Sequence, residues 1–319
     1  MNEDPRPLPG GGLIHLCDKR YFIAMSKKWK TTILAWGLLL PTFGFLSVFT
    51  LYPIVYSFFS SFFKNDLAVI KPRFIGFDNF IRLFSDEIFI KAFWNNLIIA
   101  AVTIPVSIAI AVLTAVFTHS LVKSDSRRPS HSIAFFRISY FYPVILPMVA
   151  VANIWLFIYT PAYGLLGRFF TRLNILGNPD TALWAIIIML IWKQSGYLMI
   201  FYISGLQGIS RELYEAAKID GAGPVRSFLR ITWPLLKPVT IYITIISLTN
   251  AYKMVDHLYI MTKGGPNNAT NMLLYYTYQN GFDFWDVGYA STLTAVLVSL
   301  LLILTCVHFF TQEKRTFYG

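Results

Sequence analysis

Read from its amino terminus, the chain alternates long apolar runs with short polar intervals. A helix crosses the roughly 30 Å hydrocarbon layer of a bilayer with about 20 apolar residues. Six runs of that order occur, at about 33–60, 94–118, 134–159, 182–205, 238–260 and 287–310. The pattern predicts an all-α membrane protein with six transmembrane helices. A tail over 1–32 precedes a membrane domain over 33–311, and a short tail over 312–319 follows it. Pro41, Pro53, Pro105, Pro143 and Pro147 fall inside the runs, and membrane helices tolerate proline where neighbours re-satisfy the freed carbonyls. The first run is too long for a signal-peptide core and reads as an uncleaved anchor.

One interval is built differently from the others. Within the loop 206–238, between the fourth and fifth runs, stands EAAKIDGAGPVRSFLRITWPLLKP at 215–238. Ser210 is a good helix cap, Glu212 and Glu215 sit in the first turns where the helix dipole favours acid, and Gly221 suits a left-handed stop. The spacing predicts a helix of about ten residues. Pro224 then opens a second short helix, which Pro234 and Pro238 terminate. Leu213, Ala216, Ala217 and Asp220 share one face of the first helix, and Arg226 and Arg230 share a face of the second. Ala216, Ala217, Gly221 and Ala222 are small enough for another surface to approach the backbone. Two roles fit: a projecting knob on which another protein docks, or an amphipathic hairpin lying on lipid headgroups.

Composition narrows the class. Only 13% of residues are charged and 55% are hydrophobic, whereas a soluble domain carries about 25% charged residues. The net charge of +11 is spread between apolar runs, not gathered on one solvated face, which excludes a nucleic-acid partner. Cytoplasmic flanks of membrane helices are enriched in Lys and Arg. With both termini inside, the inner segments hold seventeen basic residues and the outer loops eight. Both termini and the 206–238 loop are therefore expected on the cytoplasmic side. Cys17 and Cys306 lie far apart and offer neither a disulfide framework nor a metal spacing.

Catalytic signatures are missing from the sequence. It contains no GxxxxGK followed by Ser or Thr to cradle nucleotide phosphates. Gly221 and Gly223 begin a GxGxxG pattern, but Arg226 stands at the third glycine position and no strand precedes it. The five histidines form no HExxH pair, and no GxSxG elbow occurs. No catalytic residue, metal ligand or bound cofactor is expected in this chain.

Polar groups inside a span usually face a cavity, a partner helix or each other. Ser247, Asn250, Ala251 and Met254 fall at i, i+3, i+4 and i+7 of the fifth run and make one stripe of hydroxyl, amide, small and soft side chains. Facing a cavity, the stripe would offer hydrogen bonds without fixed charge. The same stripe also suits contact between helices. Trp192, Lys193 and Gln194 interrupt the fourth run. Trp192 and Gln194 are candidates for stacking and hydrogen bonding, with an interfacial belt as the other role for Trp192. Met148 in the third run is a further candidate for the substrate path. Lys253 lies three residues before Asp256 and four before His257, a spacing that suits a structural pair on one helical turn near the outer boundary, with substrate contact as the other role.

EAAKIDGAG, with Ile231 to Pro234 as IxxP, resembles the EAA loop of the membrane subunits of binding-protein-dependent ABC importers. FIGFDNFIRLF at 74–84, GLQGISRELYEAA before the block and LYIMTKGGPNNAT at 258–270 are similar to other parts of that family. YYTYQNGFDFWDVGYAS at 275–291 resembles the subgroup that moves carbohydrates and glycerol phosphates, in its maltose F-type half. Ser210 replaces a commoner proline, and residues 1–32 match nothing in the family.

The resemblance implies the fold of a type I ABC importer permease. It implies a coupling loop in which Glu215, Ala216, Ala217, Asp220, Gly221, Ala222 and Arg226 meet a separate ATPase. It also implies a second permease forming a heterodimer, two ATPase copies that hold ATP and Mg, an extracytoplasmic solute-binding protein, and a place in a bacterial or archaeal cytoplasmic membrane. The expected cargo is a sugar or sugar derivative. The alternatives are glycerol phosphate or another anionic polyol, which Arg168, Arg172 and Lys193 favour, and, more distantly, a secondary transporter, a class that more often shows repeat symmetry.

Overall fold

The computed structural model describes residues 29, 31–65, 71–124, 131–161, 163–166 and 174–316. The chain divides into two compact units, Met1–Ser57 and Phe58–Gly319. The first unit holds most of α1, Thr31–Ser60, an apolar helix whose first three turns expose Leu34, Trp36, Leu38 and Leu40. Its hydrogen-bond ladder slips to a π-turn over Ser47–Leu51. Pro53 follows directly, and because proline has no N–H to give, the ladder adjusts around it.

In the second unit a two-residue antiparallel ladder pairs β1, Phe63–Lys64, with β2, Arg73–Phe74. The amphipathic helix α2, Asp78–Ser85, buries Asn79 and Leu83 and exposes Phe77, Ile81 and Phe84 along its other side. Asn79 donates to the carbonyls of Ser61 and Phe63 at 2.9 and 3.2 Å, which fixes α2 on the preceding turn. The long helix α3 spans Glu87–Ser124. Asp86 caps it, one carboxylate oxygen accepting from the N–H groups of Ile88 and Phe89 at 2.9 and 3.1 Å.

The third apolar run, expected as a single span, is two helices: α4, His131–Ile145, and α5, Met148–Tyr159, bent by 110°. Pro147 occupies the N-cap of α5 with extended ψ. Proline disfavours helical geometry at the residue before it, so Pro147 ends α4 ahead of Leu146 and caps α5, whereas Pro143 is accommodated inside α4. The fourth run is α6, Pro179–Gln207, opened by Asn178, whose side chain accepts from the Asp180 N–H at 3.0 Å, with Pro179 in the first turn.

Helix α7, Arg211–Ile219, is followed by α8, Pro224–Leu235, and α9, Lys237–Lys253. Helix α8 ends at Leu235, between Pro234 and Pro238. The helical run absorbs Pro234 through a π-stretch at Phe228–Thr232 and turns by 63° only after Leu235. The fifth run breaks again at Met254 and Val255 before α10, Asp256–Met261. The polypeptide then forms α11, Leu273–Tyr278, and α12, Val287–Thr316.

Helix α6 is the central strut. Near its start Ile186, Ile187 and Met189 pack with Val151, Ala152 and Leu258. Towards its end Leu198, Met199, Tyr202 and Leu206 pack with Ala111, Val112, Leu236 and Ile243. Helix α4 approaches so closely that a Cβ at Gly196 would run into the Tyr140 carbonyl oxygen. At the end of the bundle opposite α7, the second oxygen of Asp86 accepts from the Tyr276 and Tyr289 hydroxyls at 2.6 and 2.5 Å. Arg82 pairs with Asp286 at 2.7 Å and lies 3.8 Å from the centre of the Tyr289 ring. One carboxylate thus joins α3, α11 and α12.

Candidate functional site

Helix α7 is made by its ends. The Ser210 hydroxyl accepts from the Glu212 N–H at 3.3 Å. At the other end Gly221 takes φ +73°, its N–H bonds the Lys218 carbonyl at 3.1 Å and the Ala222 N–H bonds that of Ala217 at 2.8 Å. Only glycine adopts this left-handed stop without a Cβ penalty. Glu215, Ala216, Asp220, Gly221 and Arg226 are exposed, whereas Ala217 and Ala222 are half-buried. Ala222 lines a cavity of about 390 Å³ together with Tyr214, Lys218, Pro224 and, from α3, His119 and Ser120. The Tyr214 and Thr232 hydroxyls meet at 2.9 Å, tying α7 to the π-stretch of α8. Large apolar side chains also project from this block, Ile219 most at 87% exposure, then Val225 and Leu229, with Leu213 and Leu235 less so.

A second site lies among α4, α6 and α9. A cavity of about 230 Å³ is walled by Val144, Leu190, Lys193, Gln194, Tyr197, Asn250 and Met254. The Lys193 ammonium donates to the carbonyls of Pro143 and Leu146 at 3.0 and 2.8 Å, the groups freed by the break between α4 and α5. An unpaired carbonyl in an apolar interior is costly, so Lys193 stabilises the bend that shapes the cavity.

Of the residues expected along the substrate path, Gln194, Asn250 and Met254 converge on this cavity and four do not. Ser247 is buried at 1% exposure and its hydroxyl has no hydrogen-bond partner among the described residues. Ala251 packs instead beside Tyr252, Leu273 and Leu297, and its carbonyl accepts from Asn96 at 3.3 Å. Trp192 meets Trp155 edge to face at 5.7 Å. Met148 packs on the cluster around Val151 and Ala152. The four-residue stripe assumes a straight helix. The cavity touches only its last turn, and the chain leaves helical geometry at Met254.

That same break overturns the expected pairing of Lys253 with Asp256 and His257. Helical i, i+3 and i+4 neighbours meet only if the helix is continuous, and the one ion pair among the described residues is Arg82 with Asp286. His257 is buried, with neither ring nitrogen hydrogen-bonded among the described residues. Tyr197 is the polar cavity residue that sequence reading missed, beside the apolar Val144 and Leu190. It lies three positions after Gln194, on the same helical face, and that spacing was the available signal. Arg168 and Arg172 lie outside the described residues, as does nearly all of the 1–32 tail.

Residues 87–312, which include both sites, match the family described as the binding-protein-dependent transport system inner membrane component. The chain belongs to this family. Components of this family are transport subunits and not enzymes, and among the described residues four helices are long and apolar enough to cross a membrane, or six if each bent pair is one span. Among curated relatives, the sulfoquinovosyl glycerol transport system permease protein SmoG of Agrobacterium fabrum is 34% identical over 282 residues, covering 86% of this chain and 89% of the relative. The sn-glycerol-3-phosphate transport system permease protein UgpA of Yersinia enterocolitica is 29% identical over 289 residues, 88% of this chain and 94% of that one. A chain from the crystal structure of a bacterial ABC transporter involved in the import of the acidic polysaccharide alginate superposes with a TM-score of 0.79 at 21% identity. The superposition covers 92% of this chain and all of that one. The fold of this inner membrane component is that of an ABC importer permease.

Proposed function

We propose that the chain is one permease of a heterodimeric ATP-driven importer for a sugar or sugar derivative. The carrying observation is the convergence of Gln194, Tyr197 and Asn250 on one cavity, at the bend between α4 and α5 and away from α7. Such a set offers amide and hydroxyl partners within a largely apolar wall, the usual composition of a small-molecule pocket. Helix α7, with Glu215, Ala216, Asp220 and Arg226 outward, is the lever on which a separate ATPase acts. That ATPase holds ATP and Mg, and this chain binds neither. Closure of an ATPase dimer moves α7, and Tyr214 with Thr232 passes the displacement to α8 and α9. An extracytoplasmic binding protein delivers the cargo, both termini lie in the cytoplasm, and the second permease completes the path.

Lys193 favours a second reading, an anionic cargo such as a phosphorylated polyol or an acidic sugar. Its ammonium has three donors, two of which are spent on carbonyls, and no carboxylate lines the cavity to offset its charge. The relatives named for sulfoquinovosyl glycerol and glycerol-3-phosphate fit that reading. One experiment tests both: ATPase stimulation of the assembled complex with its binding protein, across neutral sugars, acidic sugars and phosphorylated polyols. Stimulation by neutral sugars supports the first reading and stimulation by anions alone the second. A complex that responds to none, or a chain that transports without an ATPase, overturns the proposal.

A further inference from the structure

A second pocket adjoins the cavity on the side away from α7. It encloses about 280 Å³ and is lined by Val149, Val255, Asp256, Tyr259, Ile260 and Tyr278, a size near the lower end of ligand pockets, about 300 Å³. The two linings have no residue in common but are neighbours along the chain: Met254 lines one and Val255 the other, and Val144 and Val149 flank the same bend. The pocket is therefore the next station along the α9–α10 break.

Its walls combine two features that packing does not require. The rings of Tyr259 and Tyr278 stand at 84° with centroids 6.3 Å apart, making an aromatic corner. Tyr278 is backed by Tyr275 and Phe282, stacked on it at 6.4 and 5.1 Å, which holds that side of the corner rigid. Tyr259 is nevertheless 51% exposed. The second feature is unspent polarity. The Asp256 carboxylate and the Tyr259 and Tyr278 hydroxyls have no hydrogen-bond partner among the described residues. The α9–α10 break also removes Lys253 as a partner for Asp256. A pyranose ring matches both features, since its C–H face covers aromatic surface and its hydroxyls donate to a carboxylate.

We propose that Asp256, Tyr259 and Tyr278 form an outer sugar subsite, which holds one neutral pyranose ring before the cargo enters the inner cavity. This rests on the reading of the chain as a sugar permease. The Asp256 carboxylate lines the pocket itself, whereas the Lys263 ammonium lies 5.9 Å from the centre of the Tyr259 ring and is exposed to solvent, which screens it; a neutral glycoside is accepted, and the corresponding uronate is repelled. A cargo large enough to occupy both stations is then a glycoside, one ring in the corner and the remainder beside Gln194 and Asn250.

The test is ligand-detected saturation-transfer NMR on the full chain in lipid nanodiscs, together with the subunits that co-purify with it. The probes are methyl β-glucopyranoside and methyl β-glucopyranosiduronate. The glucoside is expected to bind and the uronate to bind at least about fivefold more weakly. Tyr259→Ala or Tyr278→Ala should weaken glucoside binding about tenfold, and Tyr259→Phe should preserve it. Asp256→Asn should remove the discrimination against the uronate without loss of helicity, a readout that a merely structural role would not move. Binding that ignores Tyr259, Tyr278 and Asp256, or no binding of the glucoside, overturns the subsite. Sugar-stimulated ATPase activity in the same preparation tells that failure apart from failure of the permease reading.

Discussion

Lys193 shows how a single side chain sets the geometry of a site. Its two hydrogen bonds satisfy the carbonyls at the end of α4, and bonds to a charged donor contribute about 1.5–3 kcal/mol each. Lys193→Met is expected to lower unfolding stability in detergent by about that amount, with Lys193→Arg losing less because it retains donors. Equal melting of the methionine variant and the wild type would remove the staple from the account. Asp86 makes a similar argument at the other end of α3. Burial alone would push its carboxyl up, but hydrogen bonds from Tyr276, Tyr289 and the Phe89 and Ile88 N–H groups outweigh it and hold the pKa below its ordinary value. A group depressed on folding contributes stability that is whole above its unfolded pKa, about 3.9, and is lost as pH falls through the folded value. The melting temperature should therefore be insensitive to Asp86 between about pH 7 and 5 and decline below about pH 4. Asp86→Asn should be less stable at neutral pH and show a shallower acid loss.

At the scale of elements, α7 is held by backbone geometry, and the lever role proposed for it depends on contacts it does not make within the chain. Gly221→Pro forces φ towards about −65° where the chain needs +73°, and removes the N–H that bonds Lys218. Glu215 is exposed and makes no hydrogen bond or ion pair among the described residues, so Glu215→Lys breaks no side-chain contact within the described chain. Both variants should insert normally and lose substrate uptake, and uptake at the wild-type level in either would refute the lever. The ends of α7 were legible in the sequence because Ser210 and Gly221 act within one turn of the helix they bound. The breaks at Leu146–Pro147 and Met254–Val255 were not. Prolines inside a span mark a possible bend, but whether it opens depends on a donor such as Lys193, fifty residues away in sequence from Pro143. Reading Ser247, Asn250, Ala251 and Met254 as one stripe assumed the continuity that the second break removes, which is why only the last turn of α9 reached the cavity.

For the whole molecule, one property decides whether lever and cavity work as a transporter: α7 and the α10–α11 region must lie on opposite sides of the membrane. The helix order already sets them apart, because α9 runs from the α8 bend to the α10 break and no other span intervenes. The charge pattern gives the direction, with seventeen basic residues in the segments grouped with α7 and eight in the others. Lys218 and Lys263 are exposed markers, one on α7 and one just after α10. In a chain with Cys17 and Cys306 replaced by serine, Lys263→Cys is expected to react with a membrane-impermeant maleimide in intact cells. Lys218→Cys is expected to react only after the membrane is opened. The reverse pattern would place the lever where no ATPase can reach it and the aromatic corner where no binding protein can deliver. Labelling of both from one side would show that α9 does not cross the membrane. Only the expected pattern lets a force applied at α7 change the access of a cavity near Asn250 to the outside.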